Sequence, residues 1–317
     1  MNNRVKYIDI AKGILIIFVL YGHVHWIFGG YKTVNDHLYL TTRNWMYSFH
    51  MPAFFIISGF FMQNSADVPF RRYLLKKART ILLPYFAFEI FYRAVFVILG
   101  LRTIRDACIS LLKLEFYAKA DWFLLSLFIG SLLYYALRKV ESKLPWARYA
   151  ALIALVAMLF YRPLNYYAAI MWRSGVALLF LLIGEMTGKK LEPKFRWQLL
   201  LIPPALSLAV NKFNGGVDIY YAKIGTPFLW LAGSICGTFL IIELSKIIQS
   251  SLLSCMGRHT LIILGSHDMI MRVLKRLFHP SFSTKNAMMY FVLVVFIEVI
   301  IVLGCDHIQK VSRGRFY

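Results

Sequence analysis

Residues 7–23, YIDIAKGILIIFVLYGH, form an apolar helical run that carries three ionisable side chains, Asp9, Lys12 and His23. Inside a membrane span each such group costs at least a few kcal/mol, so together they mark a site. Lys12 and His23 are eleven residues apart, three turns plus about 20° at 100° per residue, and Asp9 lies one turn before Lys12. All three share one helix face, with the imidazole roughly 16 Å beyond the charged pair. A long substrate with an anionic tail and a reactive head fits between them.

The rest of the chain is the setting for that helix. Of 317 residues, 59% are hydrophobic and 16% aromatic, and the mean hydropathy is +0.61, more apolar than a soluble core requires. This composition predicts an all-α polytopic membrane protein. The net charge of +21 would suggest nucleic acid in a soluble protein. Here the basic residues sit in short loops between apolar runs, so topology accounts for them and no nucleic-acid partner is expected. The four cysteines, Cys108, Cys236, Cys255 and Cys305, are scattered without metal-ligand spacing; neither a disulfide framework nor a metal is expected. The first apolar stretch lacks a small-residue cleavage site and is read as a retained span.

Apolar segments of spanning length fall near 9–28, 46–63, 80–100, 121–137, 147–161, 165–187, 197–211, 226–245, 257–274 and 287–307. Ten spans put both termini on one side. Of the 36 basic residues, 20 lie on that side, 13 opposite, and three, Lys12, Arg93 and Arg173, inside spans. The positive-inside rule then places both termini in the cytoplasm. No internal repeat or linker divides the chain, so residues 1–317 are read as one domain.

Several motifs lie along these spans. In SFHMPAFFIISGFF (48–61), Pro52 and Ser58-Gly59 interrupt an apolar helix, and helix packing explains the small pair. His50, at the outer end of that span, fits an interfacial group and the lining of an acceptor cleft equally. FRRYLLKKARTILLPYF (70–86) is a basic cluster leading into the third span, where Lys77 and Arg79 stand to meet phosphates. Asp121 and Trp122 open the fourth span; the aromatic belt alone accounts for the indole. In GRHTLIILGSHDMI (257–270), Asp268 adjoins His267, and a carboxylate there can orient an imidazole or raise its basicity. His25 points about 200° from His23 and is read as an interfacial residue beside Trp26.

Lys12-x10-His23 with Asp9 upstream resembles the basic-x10-His signature of the membrane acyltransferase 3 family. HMPAFFIISGFF, KKAR-x3-LPY, DWFLLSLF, FLLIGEM and GRHTLIILGSHD follow in the family's order over essentially the whole chain. The stretch 225–248, GTPFLWLAGSICGTFLIIELSKII, is most similar to the fucose 4-O-acetylase-related subgroup.

The resemblance implies a multi-span enzyme of the cytoplasmic (inner) membrane. It would move an acetyl or other short acyl group from acyl-CoA, with acetyl-CoA as co-substrate, to a hydroxyl of a cell-envelope carbohydrate. By position, His23 is the catalytic histidine, with Asp9 acting beside it by setting the state of Lys12. Lys12, standing where arginine is commoner, joins Lys77 and Arg79 as the donor-binding cations. His50, Arg93, Trp122, Arg173 and His267 are expected to line the acceptor cavity. Membrane lipid surrounds the domain. The alternative is a proton-coupled transporter or flippase of a saccharide or lipid-linked sugar, since ionisable groups in spans suit that work too. The paired inverted-repeat halves of many transporters are not evident.

Overall fold

The computed structural model describes residues 5–28, 37–63, 67–100, 102–113, 122–188, 207–210, 212–278 and 284–312. Among the described residues there is no β-strand. The helices are α1 (Lys6–Phe28), α2 (His37–Phe60), α3 (Phe70–Lys77), a π-helical turn (Ala78–Leu82), α4 (Leu83–Ile98), α5 (Ile104–Leu112), α6 (Trp122–Glu141), α7 (Ala147–Met158) and α8 (Tyr166–Gly188). A short 3-10 turn (Ile219–Tyr221) precedes α9 (Pro227–Ile247), α10 (Ser251–Arg258), α11 (Thr260–Phe278) and α12 (Thr284–Ser312).

Among the described residues, six helical stretches are long and apolar enough to cross a membrane: Lys6–Val24, Phe70–Ile98, Trp122–Glu141, Tyr166–Gly188, Pro227–Ile247 and Ala287–Ser312. These match six of the ten expected spans. The expected spans at 46–63 and 257–274 fall in α2 and α11, which are long enough but more polar. That at 147–161 is α7, only 12 residues, while 197–206 and 211 lie outside the described residues.

α1 carries apolar residues on every side, its ionisable groups aside, and belongs at the centre. It packs against α2, α9, α10, α11 and α12, while α8 packs on α2, α6 and α7. The apolar window of α8 is 72% buried and that of α12 only 22%, so α8 is a core helix and α12 lies on the rim.

Two glycine contacts fix this arrangement. A Cβ on Gly13 would fall on the Leu253 carbonyl and one on Gly257 on the Asp9 carbonyl, so α1 and α10 touch backbone to backbone. Gly59 and Gly184 give α2 and α8 the same closeness against the Leu181 and Ile56 carbonyls. In lipid, where apolar burial does not drive helices together, such close packing supplies much of the association.

The π-helical turn has a local cause. Pro84 has no N–H for the Thr80 carbonyl and its ring crowds that group, so the ladder slips and the Leu83 N–H reaches Ala78, five residues back. Below α10, Arg258, His259 and Lys310 converge on Asp306 at 3.1, 3.2 and 2.8 Å, tying the α10–α11 corner to α12.

Gly257→Ala should lower the melting temperature in detergent, overpacking costing about 1–3 kcal/mol. Gly304→Ala is the control, because an added Cβ there meets nothing; it should be neutral or gain up to ~1 kcal/mol of helix propensity. Equal melting temperatures for the two variants would refute the contact.

Candidate active site

A cavity of about 250 Å³ lies between α1, α2, the π-helical turn, α6 and α11. α1 contributes Lys12, Ile16 and Val19, at spacings i, i+4 and i+7, and His23 continues the same stripe at i+11. The Lys12 ammonium stands 3.0 Å from the Asp9 carboxylate, which is nearly buried, while a quarter of the Lys12 side chain remains exposed. Asp9 therefore holds Lys12 at one end of the stripe. α2 runs unbroken through Pro52 and Ser58-Gly59, the interruptions expected from the sequence, and Ser58 lines the opposite wall, its hydroxyl donating to the Phe54 carbonyl at 2.8 Å.

At the other end of the stripe two imidazoles meet. His267 is fully buried, and its Nδ1 lies 2.8 Å from the Ile263 carbonyl, one turn back on α11. A carbonyl only accepts, so Nδ1 carries the proton, and Nε2 of the neutral ring is an acceptor. That Nε2 is 3.3 Å from Nδ1 of His23, with ring centroids 4.9 Å apart. His23 Nδ1–H donates, which puts the lone pair of the neutral His23 ring on Nε2. Asp268, expected to orient His267, instead accepts from Arg272 Nε at 2.7 Å. Successive residues on a helix diverge by about 100°, so the acid cannot follow its neighbour.

Trp122 and Arg173 also come together. The Arg173 guanidinium lies 6.0 Å from the Trp122 ring centroid and 5.0 Å from that of Tyr220, and its Nε donates to the Ala169 carbonyl at 2.9 Å. Tyr220 belongs to a braced loop. Asn214 spans it, donating to the Ile224 carbonyl at 2.9 Å and accepting from the Thr226 N–H at 2.8 Å, and the Asp218 carboxylate accepts from the Tyr220 N–H at 3.1 Å. Asp218 also stands 4.0 Å from Arg43, whose guanidinium covers the Tyr47 ring at 3.9 Å. Burial pushes the Tyr220 phenol up, so it stays a neutral donor at neutral pH. The tyrosine pair in DIYYAK (218–223) was the sequence signal for this loop.

His50 is buried beside Tyr47, ring centroids 4.8 Å apart, and its Nδ1–H donates to the Met46 carbonyl at 2.8 Å. Arg93 is placed elsewhere: it pairs with Glu89 on its own helix and donates from Nε to the Ala107 carbonyl of α5 at 3.2 Å. These contacts tie α4 to α5. Asp121 and the side chains of His25 and Trp26 lie outside the described residues.

A second, open groove of about 600 Å³ runs along α3 and the π-helical turn, with Arg71, Arg72, Lys76 and Arg79 on its walls. Arg79, expected as a donor-binding cation, lines this groove. Lys77 does not line the groove; its ammonium lies 5.5 Å over the Tyr73 ring. Residues two apart on a helix point about 200° from each other, so the two cannot share a face. Thr80 lines both the groove and the cavity. Thr80 thus stands where groove and cavity adjoin, and Val19 of the cavity wall lies one helical turn before His23 on α1.

Cys255, His259 and Asp306 offer metal-type ligand atoms within 4.8 Å of one another. Arg258 and Lys310 crowd the same carboxylate, and their charge opposes a cation there.

A family model described as an acyltransferase domain matches residues 5–306. No curated protein and no solved structure matches the chain.

The hydrogen-bond order of the imidazole pair can be tested directly. Nitrogen-15 NMR of ring-labelled protein at neutral pH should report Nδ1–H on both His23 and His267, and His267→Leu should redistribute the His23 tautomers. An Nε2–H tautomer at His23 in the unsubstituted protein would contradict the chain.

Proposed function

The chain belongs to the membrane acyltransferase 3 family, and from that premise we propose that it moves an acetyl or other short acyl group from acyl-CoA to a hydroxyl of a cell-envelope sugar or polysaccharide. The observation that carries this reading is the shared wall at Thr80. Thr80 is common to a groove rich in arginine and lysine and to an apolar cavity whose Val19 stands one helical turn from His23. Acyl-CoA has the matching anatomy: phosphates at one end, a narrow pantetheine arm, and a thioester at the tip.

In this reading Arg71, Arg72, Lys76 and Arg79 hold the phosphates, bidentate where the donor is a guanidinium. The arm passes Thr80 and lies along Ile16 and Val19, with the Lys12 ammonium beside it, and the thioester reaches His23. His23 Nε2 takes the proton of the acceptor hydroxyl as that oxygen attacks the thioester carbon. The C–S bond breaks, and the proton on His23 passes to the departing CoA thiolate. Ester and free CoA leave, and His23 returns to neutral. His267 acts through His23: its Nε2 lone pair keeps the Nδ1–H in place and aims Nε2 at the acceptor. Asp9 sets the position of Lys12. Trp122, Arg173 and Tyr220 offer the ring faces and hydrogen-bond donors that sugars use, with His50 behind them.

A cytoplasmic donor calls for the groove to face the cytoplasm, which agrees with both termini lying there in an inner-membrane protein. Residues 225–248 favour the fucose 4-O-acetylase-related subgroup within the family.

His23→Ala in folded, detergent-purified protein should lower acetyl-CoA turnover by about 10²–10⁴; turnover like that of the unsubstituted protein would overturn the assignment. Turnover without an ion gradient would distinguish the enzyme from a proton-coupled transporter. His267→Leu should lower kcat with the acetyl-CoA KM unchanged, and His267→Gln, which keeps an acceptor, should recover part of it.

Arg79→Ala should raise the acetyl-CoA KM roughly tenfold, the worth of one charge-assisted contact. Lys77→Ala should raise it less. The reverse order would place the phosphates on the Tyr73 side of the helix instead of in the groove.

A further inference from the structure

A third cavity, of about 520 Å³, opens between the C-terminal parts of α4 and α11 and shares no lining residue with the groove or with the first cavity. Its floor is apolar. α4 and the turn after it supply Phe96 and Leu99, three residues apart, and α11 supplies Met269, Val273 and Leu277 at i, i+4 and i+8. One face of each helix thus lines a trough that the described residues leave open, with Leu99, Val273 and Leu277 exposed by 41, 40 and 67%.

The rim carries the opposite chemistry. Arg272 and Arg276 line the same trough one helical turn apart, a spacing that puts their Cβ atoms about 5–6 Å from each other. Asp268 is buried and holds Arg272 by its Nε at 2.7 Å, so one guanidinium is fixed in place and one of the two charges is balanced. The Arg272 guanidinium also lies 5.9 Å from the Phe96 ring, at the point where rim meets floor. A cation in the last turn suits the helix dipole. The dipole does not call for two guanidiniums over an apolar trough.

We propose that this trough binds an anionic phospholipid, its phosphate between Arg272 and Arg276 and one acyl chain along Phe96, Leu99, Val273 and Leu277. Arginines at the end of a span reach the headgroup layer while their stems stay in the apolar region, and a planar guanidinium matches a phosphate diester. The excess positive charge on the rim selects a lipid with net negative charge over a zwitterionic one. The lipid would brace α11 against α4 beside the Tyr92 hydroxyl, which already accepts from the Met269 N–H at 2.7 Å. α11 is also the helix that carries His267.

The test uses the full chain in micelles doped with phosphatidylglycerol or phosphatidylcholine, read by native mass spectrometry and thermal unfolding. Phosphatidylglycerol should be retained about tenfold better, the worth of one charged hydrogen bond, and should raise the melting temperature saturably. Arg276→Ala, at an exposed position, should abolish the preference, and Val273→Trp should reduce retention by filling the floor. Inorganic phosphate should stabilise neither form. Equal retention of the two lipids, a preference unchanged in both variants, or retention of polyprenyl phosphate without preference for phosphatidylglycerol would each overturn the proposal.

Discussion

The backbone contact between α1 and α10 is the constraint on which the rest of the site depends. Gly13 and Gly257 let the two helices meet where any side chain would collide with a carbonyl. That closeness buries Asp9, and a buried carboxylate needs a cation; Lys12, one turn on, provides it at 3.0 Å. α10 ends at Arg258 and the chain turns at His259 into α11, so the same contact sets how far α11 travels before His267 draws level with His23. A seam of two glycines therefore fixes both ends of the α1 stripe.

The other half of the bundle is held by a second seam, between α2 and α8, with different consequences. α8 is the most buried of the six long apolar helices, yet it carries Arg173 at 2% exposure. Aromatic faces and a backbone carbonyl compensate that charge: Trp122, Tyr220 and the Ala169 oxygen surround the guanidinium. The loop that supplies Tyr220 is braced at three points, so the compensation is built into the fold.

Much of this was legible in the sequence where it depends on one helix. The α1 stripe follows from helical spacing alone, and the cost of ionisable groups in an apolar run marked it. Which side chains partner one another, on one helix or between elements, was less legible. Asp268 adjoins His267 in sequence but diverges from it on the helix, and the proton of His267 goes to the Ile263 carbonyl. Lys77 and Arg79 read as a pair, yet a two-residue spacing and a proline-driven π-helical turn separate them, while Arg71, Arg72 and Lys76 had been read only as topology signals. Arg93 stood out as a cation in a span, and its partner, Glu89, was one turn away on the same helix, in plain view. Tyr220 could not be placed without the loop fold. The six spans include those with the longest uninterrupted apolar runs, whereas polar and charged residues interrupt the others, Arg43 and Asn44 in α2 and Asp268, Arg272, Lys275 and Arg276 in α11.

The lysine at position 12 follows from this division of labour. An arginine in its place would offer a planar fork suited to phosphate, and lysine offers a compact charge instead. In this fold the forks lie elsewhere: Arg71, Arg72 and Arg79 line the open groove, where guanidiniums can meet phosphates without prior desolvation. Position 12 is inside the cavity, beyond Thr80, and already engaged with a carboxylate. A guanidinium there would spend its fork on the Asp9 carboxylate and fill a narrow space. An ammonium keeps one contact to Asp9 with two further protons to direct, and the paired charge costs less to hold against apolar walls than an isolated one. Lysine at position 12 is thus compatible with the proposed donor route, in which the cations of the groove, and not this residue alone, would recognise the anionic end.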